Sequence, residues 1–310
     1  MKPSRFLMIT NAASGRGRAQ TTIDAVLRNL REAGVQCEVR PTMKKGQAES
    51  AIREACREVT PPDCVIACGG DGTVQEVAGT LAVIRKEMGD SCPLMGLAPA
   101  GRCNDFARAL GIAANPNAIA ASLLRGTPRF VDLGRANGRY FCTVAALGVD
   151  AEVSSYVDGM NFPLRGTPAY VVGALSVLSR YRAKWMRIEG DFGVVERELF
   201  MASSANTPVY GGNMRIVPHA DPADGFLDLC LIDPVSRLKA LTLLPKVMAG
   251  KHIELPNVQF LRSRSMKITA EPQLEMWADG ERLTHTAVSI EAVPDAVRVL
   301  TNASGSFARL

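Results

Sequence analysis

A glycine-rich loop at residues 69–73 (GGDGT) carries the clearest chemical signal in the sequence. Its three glycines let the backbone turn tightly and approach a ligand without a Cβ clash. A stretch with helical spacing follows at once, so the free N–H groups and the positive dipole end of a helix should face the loop. This combination binds phosphate. Asp71 would repel a bare phosphate, so we expect it to hold a cation, position a catalytic network or cap the helix.

Three other strand ends carry small, polar or glycine residues: 11–17 (NAASGRG), 42–46 (TMKKG) and 99–105 (PAGRCND). In an open α/β sheet, ligands bind outside the carboxyl ends of the strands, so the four loops are expected to converge. A single Gly-Gly pair is equally typical of a tight turn. The P-loop and dinucleotide patterns are absent, and phosphate binding would therefore follow another scheme.

Two carboxylates lie two residues apart near the end of the chain. Asp279 and Glu281 flank Gly280 after an apolar run. Acidic groups so close together suggest a metal site or a proton-transfer site. Asp-Gly-Glu is also a good turn sequence, and without other motifs an exposed turn is the simpler interpretation.

The elements that must position the loops alternate between strand and helix signals up to Thr127. Apolar strands are predicted at 5–10, 35–40, 63–70 and 93–101, and helices at 47–58, 73–84 and 104–111. Continuous apolar strands between amphipathic helices indicate a parallel sheet covered on both faces. We therefore expect an α/β domain over residues 1–127, whose strand-end loops are placed to bind phosphate.

After Thr127 short β-rich runs dominate, separated by Gly, Pro and Asp turns. The predicted strands lie at 129–134, 139–149, 185–190, 197–206, 226–233, 265–270, 276–280, 287–293 and 297–301. Two stretches have helical spacing, Pro168–Arg182 and Arg237–Ala249. This texture predicts a β-rich second domain over residues 128–296, packed closely enough against the first to leave a cleft.

Composition narrows the class of protein. Hydrophobic residues make up 47% of the chain and charged residues 22%, which is typical of globular proteins. The net charge of +5 is too modest to indicate a nucleic-acid partner. The eight cysteines are scattered, and with three histidines they predict a cytoplasmic protein with reduced thiols and no zinc site. No stretch is apolar enough to span a bilayer. The sequence leaves the oligomeric state open, a homodimer included.

Four motifs together resemble a known family. The GGDGT loop followed by a helix resembles the nucleotide loop of the diacylglycerol kinase catalytic domain family, which includes bacterial YegS-like lipid kinases and sphingosine kinases. NAD kinases and phosphofructokinases carry similar loops. The motifs NAASG (11–15), GRCNDFAR (101–108) and WADGE (277–281) resemble the family's N-P-x-[SA]-G, G-T-x-N-D-F-A-R and late D-G-E. Their order and spacing also fit, so the resemblance covers essentially the whole chain.

The resemblance implies an ATP site, catalytic carboxylates and a fold. The fold would be an N-terminal α/β domain and a C-terminal β-sandwich-like domain with the active site in the cleft between them, and the tail 297–310 would return to the first domain. Glu281 would accept the proton, with Asp279 and Asp71 in a Mg²⁺-linked network. The implied ATP-binding residues are Asn11, Ser14, Gly15, Thr42, Gly69, Gly70, Asp71, Gly72, Thr73, Val74, Gln75, Glu76, Gly101, Arg102, Asn104 and Asp105.

The acidic loop at 219–228 (HADPADGFLD) resembles a family loop with a structural Mg²⁺ site. The ligands would be the Asp224 side chain and the main-chain carbonyls of Asp221 and Phe226, and such oxygen ligands suit Mg²⁺. A plain turn is the alternative. Two positions depart from the family pattern: Ala12 replaces a proline, and Arg102 replaces a threonine that contacts nucleotide.

The function implied is an ATP-dependent lipid kinase that visits the inner face of a membrane as a peripheral protein. The acceptor is expected to be a diacylglycerol-like lipid, with phosphatidylglycerol and a sphingoid base open. An apolar stretch at 162–181 followed by basic residues to Arg187 could border acyl chains and touch anionic headgroups, or it could form a core helix with a solvated basic end. The alternatives are an NAD kinase and a catalytically silent regulator that binds nucleotide or lipid.

Overall fold

The computed structural model describes residues 4–11, 18–159, 167–212 and 214–302. The chain divides into two compact units. Unit 1 comprises Met1–Leu133 and Pro294–Arg309, and unit 2 comprises Gly134–Val293. The division falls a few residues after the change of texture that the sequence shows at Thr127. Within the described residues, no helix combines the length and the hydropathy required to span a bilayer.

Unit 1 is built on a parallel sheet. Its first four strands are β1 (Arg5–Asn11), β2 (Gln36–Thr42), β3 (Cys64–Gly69) and β4 (Leu94–Pro99). They lie in the order β2-β1-β3-β4, and every neighbouring pair is parallel. All six residues of β3 are buried, as expected of a strand covered on both faces. Because the strands are parallel, their carboxyl ends lie at one edge of the sheet, where the predicted loops begin.

Helices connect these strands and cover both faces of the sheet. They are α1 (Arg18–Glu32), α2 (Gln47–Cys56), α3 (Asp71–Met88), α4 (Asp105–Ala109) and α5 (Pro116–Arg125). Helices α1 and α5 share a core with alternate residues of the strands, such as Phe6 and Ile66. Helices α2 and α3 pack against β1 and β3. The sequence did not predict α5, although Asn115 caps it by accepting the N–H groups of two residues in its first turn.

Unit 2 contains two β-sheets. Its strands and helices are the last part of β5 (Thr127–Ala136), then β6 (Arg139–Phe141), β7 (Val144–Gly148), α6 (Val149–Asp158), α7 (Thr167–Leu178), β8 (Lys184–Gly190), β9 (Gly193–Leu199), β10 (Met201–Ala205), β11 (Leu227–Ile232), α8 (Arg237–Met248), β12 (Val258–Ser263), β13 (Ser265–Glu271), β14 (Glu275–Ala278), β15 (Glu281–His285) and β16 (Val288–Thr301). One sheet runs β16-β13-β8-β9, with β5 beside β16 and β6 beside β5. The other runs β12-β11-β10-β7-β14-β15.

The two sheets of unit 2 form a sandwich around a shared core. Side chains from one sheet, such as Ile188 and Ile290, pack with side chains from the other, such as Leu229 and Met276. The second sheet has another buried face, where residues such as Cys230 pack against helices α6, α7 and α8. Strand β16 begins in unit 2, where it pairs with β13, and ends in unit 1 beside β4. The predicted fold class, an α/β domain followed by a β-sandwich-like domain, is confirmed.

Several element boundaries differ from the sequence prediction. The strand predicted at 139–149 is two strands, β6 and β7, separated at Cys142 and Thr143. It ends at Gly148, whose φ of 93° lies outside the strand region, and α6 starts at Val149. The predicted run 197–206 is two strands, β9 and β10, separated at Phe200. The runs predicted at 287–293 and 297–301 form the single strand β16. Strands β12 and β15 were not predicted.

Candidate functional site

The glycine loop of unit 1 joins the end of β3 to the start of α3, and a second loop approaches it closely. A Cβ on Gly101 would lie 2.4 Å from the Cα of Gly70, so only glycine permits this approach. The N–H groups of Ala100 and Gly101 both donate to the carbonyl of Gly69, at 3.0 and 3.1 Å. The loops that follow β3 and β4 are therefore brought together, as the sequence predicted from their positions at the strand ends.

Asp71 fastens these two loops to each other. Its carboxylate accepts hydrogen bonds from the backbone N–H groups of Asn104, at 3.0 Å, and Asp105, at 2.8 Å. Asn104 has a left-handed φ of 52°, and its side chain both accepts the N–H of Gly101 and donates to the carbonyl of the same residue. The carboxylate of Asp71 therefore caps α4 from the first residue of α3. Burial raises its pKa in spite of these backbone hydrogen bonds.

The first turn of α3 presents its N–H groups at the loop. Val74 is the first residue whose N–H closes onto the helix, donating to the carbonyl of Gly70 at 3.1 Å. The N–H groups before it, of Gly72 and Thr73, belong to the turn that an α-helix leaves for outside partners. The exposed side chain of Arg102 belongs to the neighbouring loop. Backbone N–H donors, a helix dipole and a guanidinium are groups that bind phosphate.

Three of the predicted nucleotide residues have contacts within the fold, and a fourth is buried. Glu76 accepts the N–H groups of Gly46 and Ala48 and so caps α2. The Thr42 hydroxyl donates to the carbonyl of Thr10, and Val74 packs in the core. Gln75 is buried, and its amide nitrogen has no hydrogen-bond partner among the described residues. Contact of these four side chains with a nucleotide stays a prediction.

Asn11 ends β1 and is half-buried, at the same edge of the sheet as the glycine loop. Two further predicted residues, Ser14 and Gly15, lie outside the described residues, as does the departure Ala12. The NAASG motif is therefore described only at its first position.

One cluster beside the glycine loop could hold a cation. Among the described residues, Asp71, Cys103 and Asp105 form a group whose ligand atoms all lie within 4.8 Å of one another. The carboxylates of Asp71 and Asp105 are the hard oxygen ligands that Mg²⁺ prefers. Burial, followed by the charges of the two aspartates, raises the pKa of the Cys103 thiol to about 11, and sulfur is a soft ligand that Mg²⁺ does not favour. The carboxylates therefore fit Mg²⁺, whereas the thiol does not contribute.

The Asp-Gly-Glu motif of unit 2 is a tight β-hairpin. Asp279 and Gly280 form the two-residue turn between β14 and β15, with φ of 51° and 81°. This is the geometry for which Asp-Gly is favoured. The Asp279 carboxylate accepts the N–H groups of Cys142 and Thr143, at 2.7 and 2.9 Å, and the Thr143 hydroxyl at 2.5 Å. Asp279 thus pins the hairpin to the chain between β6 and β7.

Glu281 has a different environment from Asp279. It is the first residue of β15 and is half-buried, and it lines a groove together with Asp158 and Trp277. A carboxylate in such a groove can reach a ligand there. The two acids of the motif therefore have different environments: Asp279 accepts backbone hydrogen bonds, and Glu281 lines a groove.

The acidic loop of unit 2 is held by an arginine. Asp224 accepts the N–H of Phe226 at 3.0 Å with one carboxylate oxygen and is ion-paired with Arg262 through the other. The guanidinium of Arg262 also lies over the Phe226 ring, 4.2 Å from its centroid. Asp221 accepts the N–H of Ala223 at 3.1 Å. The side-chain ligand predicted for Mg²⁺ therefore has a cationic partner within the chain, and a metal at this loop stays a prediction.

Sequence reasoning missed the structural partners of the motif acids. Cys103 stands in the GRCNDFAR motif but was given no role, and neither Thr143 nor Arg262 stands in a motif. Only Gly101 carried a signal, because a glycine just after a strand end permits a close backbone approach. The other contacts join residues far apart in sequence, which spacing along the chain does not show.

Comparison with protein families matches both halves of the chain. Residues 5–136 match the model of the diacylglycerol kinase catalytic domain, and residues 143–301 match the YegS C-terminal NAD kinase β-sandwich-like domain. A crystal structure of a diacylglycerol kinase from Bacillus anthracis superposes with a TM-score of 0.75 and 23% identity, covering 98% of each chain. At that identity, the likeness supports the fold alone.

Curated relatives resemble the chain over nearly its full length. A diacylglycerol kinase from Mycobacterium tuberculosis is 34% identical, with 94% of this chain and 93% of the relative aligned. A diacylglycerol kinase from Bacillus subtilis is 30% identical over 89% of each. A probable lipid kinase YegS-like from Stenotrophomonas maltophilia is 30% identical over 96% of each. The resemblance carried by the four motifs is confirmed, and the chain belongs to the diacylglycerol kinase family.

Proposed function

We propose that this protein is an ATP-dependent lipid kinase that transfers the γ-phosphoryl group of ATP to a hydroxyl of a diacylglycerol-like lipid. The observation that carries the proposal is the loop pair of unit 1, in which Asp71 fastens the 69–73 loop to the loop after β4. The relatives named diacylglycerol kinase support the acceptor class. No helix of the described residues spans a bilayer, and we propose that the enzyme meets its acceptor as a peripheral protein at the membrane surface.

On the nucleotide side, the chain supplies donors rather than covalent chemistry. The N–H groups of Gly72 and Thr73 bind phosphate oxygens, and the closeness of Gly70 to Gly101 keeps the two loops in one fixed arrangement. Arg102 adds a guanidinium that can contact a phosphate. Mg²⁺ held by Asp71 and Asp105 would supply positive charge to the phosphates.

On the acceptor side, Glu281 is the proposed general base. It removes the proton from the lipid hydroxyl as that oxygen bonds to the γ-phosphorus. The bond between the γ-phosphorus and the bridging oxygen of the β-phosphate breaks, so ADP leaves and the proton remains on Glu281. Asp279 positions Glu281, because its hydrogen bonds to Cys142 and Thr143 fix the hairpin on which both acids stand.

The test is transfer of labelled γ-phosphate from Mg·ATP to lipids in mixed micelles, with diacylglycerol, phosphatidylglycerol and a sphingoid base as separate acceptors. Label in an organic-phase product that disappears in Glu281→Gln supports the proposal. The exposed Glu254 of unit 2 provides a matched control, since Glu254→Gln should transfer label as the wild type does.

NAD is included as an acceptor because the C-terminal family model takes its description from the NAD kinase sandwich. Labelled NADP without a labelled lipid would replace the proposed function by NAD kinase activity. ATP binding without transfer to any acceptor would instead indicate a nucleotide-binding regulator.

A further inference from the structure

Two buried residues interrupt the strands of unit 2 beside the Asp-Gly-Glu hairpin. Cys142 and Thr143 lie between β6, which ends at Phe141, and β7, which begins at Val144. They are 1% and 2% exposed. We call this pair of residues the 142–143 bend. Its backbone N–H and C=O groups must be hydrogen-bonded outside a strand ladder, because an unpaired polar group in the interior is costly.

The four backbone polar groups of the 142–143 bend are divided between two residues. Both N–H groups donate to the carboxylate of Asp279, at 2.7 and 2.9 Å. Both carbonyls accept from Asn206. Its side-chain amide donates to the carbonyl of Cys142 at 2.9 Å, and its backbone N–H donates to the carbonyl of Thr143 at 2.8 Å. Asp279 therefore holds the donors of the bend, and Asn206 holds its acceptors.

Asn206 has a fixed position in the core of unit 2. It directly follows β10, whose five residues are all buried, and it is itself 1% exposed. Ala205 at the end of β10 is paired with Val144 of β7, so Asn206 stands opposite Thr143 in the same register. The three residues that follow it are also buried. Because close packing leaves such a side chain little freedom, its amide determines where the carbonyl of Cys142 lies.

The hairpin that carries Glu281 depends on the bend for its own position. Glu281 begins β15, which is the last strand of its sheet and pairs with β14. Strand β14 is paired in turn with β7 at Trp277 and Ala278. The hydrogen bonds from the 142–143 bend to Asp279 extend this short pairing to the turn of the hairpin. A shift of the bend would therefore shift the turn and the glutamate two residues after Asp279.

We propose that Asn206 is a positioning residue for Glu281 and acts through the 142–143 bend and Asp279. This inference rests on the proposed function, because it takes Glu281 as the group that removes the acceptor's proton. Without the amide of Asn206, the buried carbonyl of Cys142 loses its donor, and the bend must turn to find another. That rotation moves the two N–H groups that hold Asp279. A displacement of about 1 Å at a catalytic group is enough to slow a reaction strongly.

The first test measures kcat and KM for phosphate transfer to diacylglycerol. In Asn206→Ala we expect kcat to fall about tenfold. The KM for Mg·ATP should stay within about twofold of the wild type, because the proposed phosphate-binding groups belong to unit 1. Thr207→Val is the matched control, since it removes a buried hydrogen bond of the same kind, from the Thr207 hydroxyl to the carbonyl of Val209. The control should keep its kcat, and equal losses of kcat in the two variants would overturn the inference.

A double-mutant cycle tests the connection between Asn206 and Asp279. In an Asp279→Asn background, Asn206→Ala should change kcat by less than about twofold, because both substitutions break the same chain of hydrogen bonds. Losses of kcat that multiply would show that the two residues act independently, and the inference would fail.

Hydrogen exchange measured by mass spectrometry tests the same connection without turnover. Asn206→Ala should raise the exchange rate of the segment 276–285 by at least about threefold, and Thr207→Val should leave it unchanged. Because the coupling is mutual, Asp279→Asn should raise exchange in the segment 204–208, which tests the connection even if Asn206→Ala does not fold.

The two kinds of measurement distinguish this inference from the proposed function. Raised exchange in both segments, without phosphorylation of any lipid, would remove the kinase proposal and leave Asn206 as the residue that holds the hairpin. Phosphorylation of lipid with unchanged exchange in both segments would overturn the role of Asn206 alone.

Discussion

Two aspartates, one in each unit, hold turns of the chain in opposite ways. In unit 1, Asp71 accepts hydrogen bonds from the N–H groups of Asn104 and Asp105. Among the described residues, no arginine or lysine forms an ion pair with it. In unit 2, Asp224 also accepts one backbone N–H, from Phe226, but its other oxygen is paired with Arg262. Neutral N–H groups hold the carboxylate of Asp71, whereas the charge of Asp224 is compensated by Arg262.

The difference predicts where a divalent cation can bind. Neutral N–H donors orient Asp71 without cancelling its charge, and its burial makes that charge costly, as the raised pKa indicates. A cation held there with Asp105 would remove this cost. At Asp224, the ion pair with Arg262 already compensates the negative charge. The family resemblance implies Mg²⁺ at both acidic loops. We expect the cation to bind beside Asp71 in unit 1 and not at Asp224 in unit 2, where Arg262 supplies the positive charge.

The largest expected effect is that of Asp71→Asn on phosphate transfer, and the same substitution at Asp224 provides the comparison. Asp71→Asn removes the charge that would hold Mg²⁺ near the phosphates, and we expect phosphate transfer to fall by about 10²- to 10³-fold. Asp224→Asn should change transfer by less than about threefold, because Arg262 leaves that carboxylate no part in metal binding. Steady-state transfer at saturating Mg·ATP measures both.

Unfolding curves must accompany this pair. Asp71→Asn also turns one acceptor into a donor that faces a backbone N–H, which should cost about 1–3 kcal/mol of stability. Activity should therefore be measured well below the Tm of the variant. Equal losses of transfer in Asp71→Asn and Asp224→Asn would show that the two aspartates do not differ as proposed.

The sequence predicted that Asp71 is a functional residue, because an aspartate would repel phosphate and is therefore unexpected in a phosphate-binding loop unless it has a specific role. It also predicted the parallel sheet, because continuous apolar runs and helical spacing are local properties. It could not predict that Asp71 reaches Asn104 and Asp105, which requires the approach of Gly70 to Gly101. The pairing of Asp224 with Arg262 is likewise a contact between distant positions, so the sequence could not show that this carboxylate has a cationic partner.

The hairpin of unit 2 gives a second contrast, between adjacent acids. Glu281 lines a groove with Asp158 and Trp277, whereas Asp279 accepts hydrogen bonds from Cys142 and Thr143. Glu281→Gln should lower kcat by about 10²-fold with little change in Tm, as expected for loss of a general base. Asp279→Asn should lower the free energy of unfolding by about 1–3 kcal/mol, because it weakens hydrogen bonds to buried backbone donors. Asparagine also tolerates the positive φ at this position.

Measuring kcat and urea unfolding for both variants separates the roles. Near-normal turnover in Glu281→Gln would move the base to Asp279 or Asp71. A stable but inactive Asp279→Asn would show that Asp279 takes part in the chemistry and is more than a positioning residue.

The close approach of the two loops in unit 1 can be tested with a matched pair of alanines. Gly101→Ala places a Cβ 2.4 Å from the Cα of Gly70, so the loops must separate and Asp71 loses its geometry. We expect a loss of about 1–3 kcal/mol in stability and a roughly tenfold weaker affinity for ATP. Gly70→Ala meets nothing closer than 3.5 Å and has an extended φ of −88°, so its stability should stay within about 0.5 kcal/mol of the wild type. Thermal unfolding and nucleotide titration distinguish the two, and equal destabilisation would contradict the steric explanation.

The smallest expected effect tests the acidic loop directly. The side chains of Arg262 and Asp224 are 45% and 27% exposed, so Arg262→Gln should cost less than about 1 kcal/mol. Adding Mg²⁺, or removing it with EDTA, should shift the Tm of the wild type and of Asp224→Asn by the same amount, because any such shift arises at Asp71. In Arg262→Gln the loop loses its cation, and Mg²⁺ should recover part of the lost stability through Asp224. A Mg²⁺-dependent shift that is present in the wild type and absent in Asp224→Asn would restore the metal to this loop, and the two aspartates would then be cation sites of the same kind.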